Sequence, residues 1–144
     1  MKLNIGCGTS QMEGYINLDK NVHGQEVLRD VSRGLPFDDN KFDEVYTSHF
    51  MEHVSAGVEL YFVLSEIWRV CKEGATFIIR VPHSDTHEAF FPDHLSWWNE
   101  AMVRAVIADP YQRDSNYFYN FELKEMGRSG IELHTTLTTL KAIK

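Results

Sequence analysis

The chain has 144 residues and a formal net charge of −7, from 14 Lys and Arg against 21 Asp and Glu. That length suits one domain (1–144) around one core, and the acidic balance argues against a nucleic-acid binder, which needs clustered Lys and Arg. With 43% hydrophobic and 24% charged residues the composition is that of a soluble globular chain, and no apolar run reaches the length of a membrane span.

Met1-Lys2 leads straight into strand-like sequence without an apolar leader. The two cysteines, Cys7 and Cys71, have no framework or metal spacing, so both are expected to be reduced thiols in a cytoplasmic protein. The first predicted strand, Lys2-Leu3-Asn4-Ile5, runs into Gly6-Cys7-Gly8. Glycine there allows unusual backbone dihedrals and close approach of a ligand, although an ordinary tight turn has the same signature. A second strand, Tyr15-Ile16-Asn17-Leu18-Asp19, ends on a carboxylate. In open parallel sheets ligands sit beyond the carboxyl ends of the strands, and an acid ending the second strand can accept from a ribose diol. Further strands are expected at 27–31, at 42–47 leading into Ser48-His49, and at 75–81.

Only residues 9–14 separate the first two strands, where parallel neighbours usually need a dozen or more. Six extended residues span about 20 Å, enough to return along a four-residue strand without a helix. Such a crossover would leave one sheet face thinly covered. A bare apolar face invites a partner, so a homodimer is expected.

The strongest helical pattern covers 57–72, where Leu60, Leu64, Ile67 and Cys71 repeat at helical spacing and Gly74 provides a stop. A polar, histidine-rich loop spans 83–94. A second helix is expected over 96–108, ended by Pro110. Two strands, 117–126 and 131–142, joined through Gly127-Arg128-Ser129-Gly130, read as a hairpin.

The ordered set Leu3-Asn4-Ile5-Gly6-Cys7-Gly8, Gly14 to Asp19, Leu35 to Val45 and Glu52-His53-Val54 resembles the class I S-adenosylmethionine-dependent methyltransferases, in particular the small methyltransferase-11-like branch. The resemblance covers about residues 2 to 83. It implies an α/β, compact Rossmann-like, mostly parallel sheet with a C-terminal antiparallel hairpin, here lacking the usual first crossover helix. It implies S-adenosylmethionine as cofactor and methyl transfer to a small-molecule acceptor. Gly6, Cys7 and Gly8 match the glycine loop near the methionine part of the cofactor, and Asp19 matches the ribose-binding acid. Asp30 and Val31 match the adenine edge, and Ser48 and His49 the segment that meets cofactor and acceptor. Asn4 stands where many members carry an acid.

His49 is the first candidate for a general base, since an imidazole near neutrality can accept a proton. His83, a second catalytic candidate, and His87 follow the fifth strand and are expected to line the acceptor pocket, with Trp97 as an aromatic wall. His53 reads as structural. The set His83, Asp85, His87, Glu88, Asp93 and His94 could hold a divalent ion. It lacks a tight helical spacing, so no metal site is expected. A dinucleotide oxidoreductase would want glycine at Gln11 and a later acid, and a phosphate-binding loop would need Gly-Lys-Ser or Gly-Lys-Thr. The rival from another class is a non-catalytic cofactor-binding or interaction module of the same fold.

Overall fold

The computed structural model describes residues 1–108, 116–128 and 135–144. Its strands form a seven-stranded sheet in the order β3-β2-β1-β4-β5-β7-β6. β1 (Lys2–Ile5), β2 (Ile16–Asp19), β3 (Val27–Leu28), β4 (Phe42–Ser48) and β5 (Cys71–Pro82) are mutually parallel. β7 (Thr135–Ala142) runs antiparallel to β5 and to β6 (Phe121–Arg128). This is the expected architecture, including the helix-free passage from β1 to β2. The turn expected between the last two strands lies partly outside the described residues, as do Pro110 and the loop 111–115. Among the described residues no helix is long and apolar enough to cross a membrane.

Strand register explains the core. Leu3 pairs with Ile16 and Val45, and Val45 with Phe77. These side chains therefore share one face of the sheet. They join a single core with Leu60, Val63, Leu64, Ile67 and Val70 of helix α1 (Val58–Val70).

The opposite face around β1 carries Asn4 paired with Asn17 and with Tyr46. It is not the bare apolar surface expected. Asn4 and Asn17 are each 3% exposed because their amides hold the connecting loop. Asn4 Nδ2 donates to Asn17 Oδ1 (2.9 Å) and to the Ser10 carbonyl (3.2 Å). Asn17 Oδ1 also accepts from the Met12 N–H (2.9 Å), and Asn17 Nδ2 donates to the Met12 and Tyr15 carbonyls. Two amides thus satisfy backbone groups that a helix would have satisfied internally. Around β1 there is therefore no bare apolar face of the kind from which a homodimer was expected.

Several element boundaries differ from expectation. β6 starts at Phe121 rather than at 117, and Gly127 and Arg128, expected in the hairpin turn, are paired in it with Leu137 and Thr136. α1 is not stopped by Gly74. Cys71 turns extended (φ −69°, ψ 141°) and enters β5 directly. Gly74, at φ 75°, lies inside that strand. There β5 advances five residues (Cys71 to Thr76) while β4 advances two (Phe42 to Glu44), a bulge that favours a left-handed glycine. The third strand is only two residues long, because Asp30 caps a 3-10 turn over Val31–Arg33. The second helix starts late, at Glu100: α2 is Glu100–Val103, capped by Asn99, and passes into a π turn over Arg104–Ala108. Trp98 is held extended by its bridge to His83 and is fully buried.

Candidate functional site

The carboxyl ends of β1, β2 and β4 open onto a cavity of about 760 Å³. Of the residues singled out from the sequence, Gly6, Gly8, Asp19, Asp30, Val31 and His49 line it.

The glycine loop hangs from β2. The Gly6 and Cys7 N–H groups both donate to the Leu18 carbonyl (2.8 and 3.1 Å), and the Gly8 N–H donates to Asp19 Oδ2 (2.9 Å). All three loop amides are therefore engaged within the protein, so the loop offers a ligand close approach more than free donors. The two glycines differ in what requires them. A Cβ on Gly6 (φ +68°) would meet the Phe50 ring at 2.5 Å, whereas one on Gly8 (φ +47°) would meet nothing within 4 Å. Gly6 makes room for Phe50, and Gly8 leaves open space.

Asp19 ends β2 with its side chain 12% exposed. Oδ1 accepts from the Asn21 N–H at 2.8 Å. With Oδ2 on Gly8, each carboxylate oxygen keeps acceptor capacity. Asp30 Oδ1 accepts from the Ser32 N–H (3.0 Å) and hydroxyl (2.8 Å). The Ser32 hydroxyl bond is the main cause that holds the Asp30 carboxyl below the usual range.

His49 follows β4 at φ 52°, a left-handed conformation uncommon for a side-chain-bearing residue. Its N–H donates to the Arg80 carbonyl (2.9 Å), and its side chain is 55% exposed. Such geometry clusters at functional sites, and sequence spacing carries no trace of it. His49 Nδ1 stands 3.4 Å from Oε1 of Glu52, whose side chain is 2% exposed. Glu52 was read from the sequence only as part of the family motif and not as a site residue, and His53, read there as structural, lines the cavity together with Asp93 and Leu95.

Five sequence candidates do not reach the cavity lining. Cys7 is buried at 4% exposure, its thiol pushed up by burial and by Asp19. Ser48 is held in β4, opposite Arg80. His83 is enclosed at the far side of β5, with Nδ1 2.7 Å from Asp85 Oδ1 and Nε2 3.0 Å from Glu100 Oε2. Arg128 contacts Asp85 and stands 3.1 Å from His83 Nδ1. Arg128 and then His83 lower the Asp85 carboxyl, and His83 lowers that of Glu100. Two carboxylates and a guanidinium thus make His83 a clamp on the loop after β5. His87 projects outward, its side chain 85% exposed and 3.2 Å from Glu88 Oε1. Trp97 is 52% exposed and stacks on Phe90 at 6.2 Å. The loop turns outward here because Trp98, not Trp97, enters the core.

A family model described as a methyltransferase domain matches residues 16–79. No curated protein sequence matches the chain. Among solved structures, an S-adenosylmethionine-dependent methyltransferase from Aquifex aeolicus is similar at TM-score 0.71 and 17% identity, over 99% of this chain and 81% of that one. One from Methanosarcina mazei is similar at TM-score 0.69 and 15% identity, over 99% and 92%. The Burkholderia thailandensis 1,6-didemethyltoxoflavin-N1-methyltransferase, solved with its substrate and S-adenosylhomocysteine, is similar at TM-score 0.66 and 17% identity, over 99% and 71%.

Proposed function

The chain has the fold of the class I S-adenosylmethionine-dependent methyltransferases, and from that premise we propose that it transfers a methyl group from S-adenosylmethionine to a small-molecule acceptor, acting in the cytoplasm as a single domain. The observation that carries this reading is the convergence of Gly8, Asp19, Asp30, Val31 and His49 on one cavity at the strand ends. The residues fit the cofactor. The cavity volume falls within the range of ligand pockets, Gly8 adds no atom to its lane, and Asp19 retains acceptor sites for a diol.

When bound, the cofactor supplies a methyl on a positively charged sulfur, an electrophile that needs in-line approach more than covalent help. In this reading Asp19 grips the ribose hydroxyls. Asp30 accepts from the adenine amino group and the Val31 main chain flanks the ring. Gly6 and Gly8 let the methionine part run against the backbone. His49, exposed to the cavity, takes a proton from the acceptor as its nucleophilic atom attacks. His83 serves the scaffold instead, by fixing the loop after β5.

The test is calorimetric titration with S-adenosylmethionine and its demethylated product, with thermal melting alongside. One equivalent should bind, and ligand at 100 times its dissociation constant should stabilise the fold by about 2.7 kcal/mol. No heat and no shift at millimolar ligand would remove the reading. Binding without turnover across small acceptors would favour the non-catalytic module. Light scattering tests the homodimer separately.

A further inference from the structure

We propose that Glu52, His53 and His94 form a binding site for a divalent transition-metal cation of the zinc or cobalt type, set in the wall of the cavity. One potential ligand atom from each residue lies within 4.8 Å of the others. Four observations support a cation here.

Glu52 is 2% exposed, and neither of its carboxylate oxygens has a hydrogen-bond partner. Buried carboxylates are normally hydrogen-bonded, paired or metal-bound; this one has the exposed His49 ring 3.4 Å from Oε1, and its Oε2 has no hydrogen-bond partner. The imidazoles are pre-set as ligands. His53 Nδ1 lies 3.1 Å from the Asp93 carbonyl and His94 Nδ1 3.2 Å from the Ala89 carbonyl. A carbonyl oxygen can only accept, so each Nδ1 donates, and in the neutral ring Nε2 then keeps its lone pair. This is the outer arrangement that orients metal-bound histidines.

The two segments are also locked together through their backbones. The Leu95 and Ser96 N–H groups donate to the Glu52 carbonyl (2.7 and 3.1 Å), and the Ser96 hydroxyl donates to the Met51 carbonyl (3.0 Å). The donors therefore stand on fixed frames 41 positions apart in sequence (94 − 53). Finally, the rings of His53 and His94 meet edge to face, with centroids 4.9 Å apart, an arrangement that a shared ion can span with small adjustment.

The donor set selects the metal class. Two imidazoles and one carboxylate suit zinc, cobalt or iron, whereas magnesium and calcium favour all-oxygen sites. Three protein donors leave at least one coordination position open. His53 lies on the cavity wall, so under the methyltransferase reading that position is available to an oxygen of the acceptor. The metal site itself does not depend on that reading. It replaces the sequence expectation of no metal, which considered residues 83–94 without their partner turn at Met51–His53.

The test uses the full chain stripped with a chelator and titrated with Co2+ near neutral pH, read by visible absorption and calorimetry. One Co2+ should bind per chain with ligand-field bands, and Zn2+ should displace it. His94→Ala and Glu52→Gln should each weaken binding by about tenfold or more, while His87→Ala should not change it. Should either variant fold poorly by circular dichroism, paramagnetic broadening of the His53 and His94 ring resonances in the wild-type chain decides instead. Sub-stoichiometric binding, equal loss in His87→Ala, or broadening confined to other histidines overturns the site. S-adenosylmethionine titrations of the same samples separate the two proposals: intact cofactor binding without Co2+ binding refutes only the metal, and the converse refutes only the methyltransferase reading.

Discussion

Replacing Asp19 with Ala removes two kinds of interaction at once, and the structure sizes both. Its carboxylate accepts from the Gly8 and Asn21 N–H groups at 2.9 and 2.8 Å and is mostly enclosed. Losing that acceptor leaves the half-buried Gly8 amide, at the cavity wall, without its only protein partner among the described residues. Asn21 is exposed, so water replaces its lost bond. An unsatisfied, partly buried donor costs about 1–3 kcal/mol, and a stability loss near 2 kcal/mol is expected in urea titration. Cofactor affinity should fall by a further 1–3 kcal/mol for the lost diol contacts, roughly 5- to 150-fold. Asp19→Asn retains one acceptor oxygen and should lie between the two. Calorimetry with S-adenosylhomocysteine, on protein shown folded at the working temperature, makes the measurement. An affinity for Asp19→Ala within twofold of wild type would show that the carboxylate only braces the glycine loop.

Gly6→Ala and Gly8→Ala should separate packing from ligand access: the first drives a Cβ into Phe50 at φ +68° and should cost about 2 kcal/mol or more in urea, while the second should cost only about 1 kcal/mol yet weaken cofactor binding. Equal stability losses would contradict that division. Glu66 takes the Leu35 N–H at 2.7 Å and the Arg69 guanidinium at 2.7 and 2.9 Å, and the Arg69 bonds hold its carboxyl below the ordinary 4.5. Its stabilisation is therefore complete above pH 4.5 and fades as pH falls through the lower folded value. Glu66→Gln should lose about 1–2 kcal/mol at neutral pH and converge with wild type in acid; a constant difference across that range would refute the ion pair's role. Cys71 is fully buried, its thiol pushed up to about 12 by burial, and Cys7 is nearly so. A thiol-exchange reagent should label neither in the native chain at mildly alkaline pH and both in urea, and rapid native labelling would contradict the packing.

The parallel sheet, the short first crossover and the amphipathic helix were readable because they depend on local periodicity. Leu60, Leu64 and Ile67 repeat on one helical face whatever lies opposite them, and β1 to β5 alternate or run apolar in the way buried strands must. Boundaries were less readable where two preferences competed. Gly74 looks like a helix stop, but pairing of Cys71 with Phe42 captured the chain three residues earlier and turned the glycine into a bulge. The amides of Asn4 and Asn17 were visible as residues, but their task of holding the loop 9–15 depends on cross-strand pairing that the one-dimensional pattern does not contain.

The same division runs through the site. Gly8 and Asp19 could be placed from sequence because strand ends and glycine turns are local events, and a parallel sheet brings such ends to one edge; Asp30 was placed by the family resemblance. The histidines were only partly placed: His49 was expected at the cavity and lines it, His53 was read as structural and lines it too, and His83 and His87 were expected there and do not. Long-range packing separates them: Asp85, Glu100 and Arg128 enclose His83, whereas the left-handed turn after β4 delivers His49 to the hollow. Glu52 and His94 come together only because the segment after β5 folds back and donates its backbone to the turn at Met51–His53. Sequence by itself determined the sheet, its helix and the edge at which the cavity opens; tertiary structure alone decided which side chains from distant segments join Gly8 and Asp19 there, since contacts between distant segments are set by packing and hydrogen-bond satisfaction rather than by local pattern.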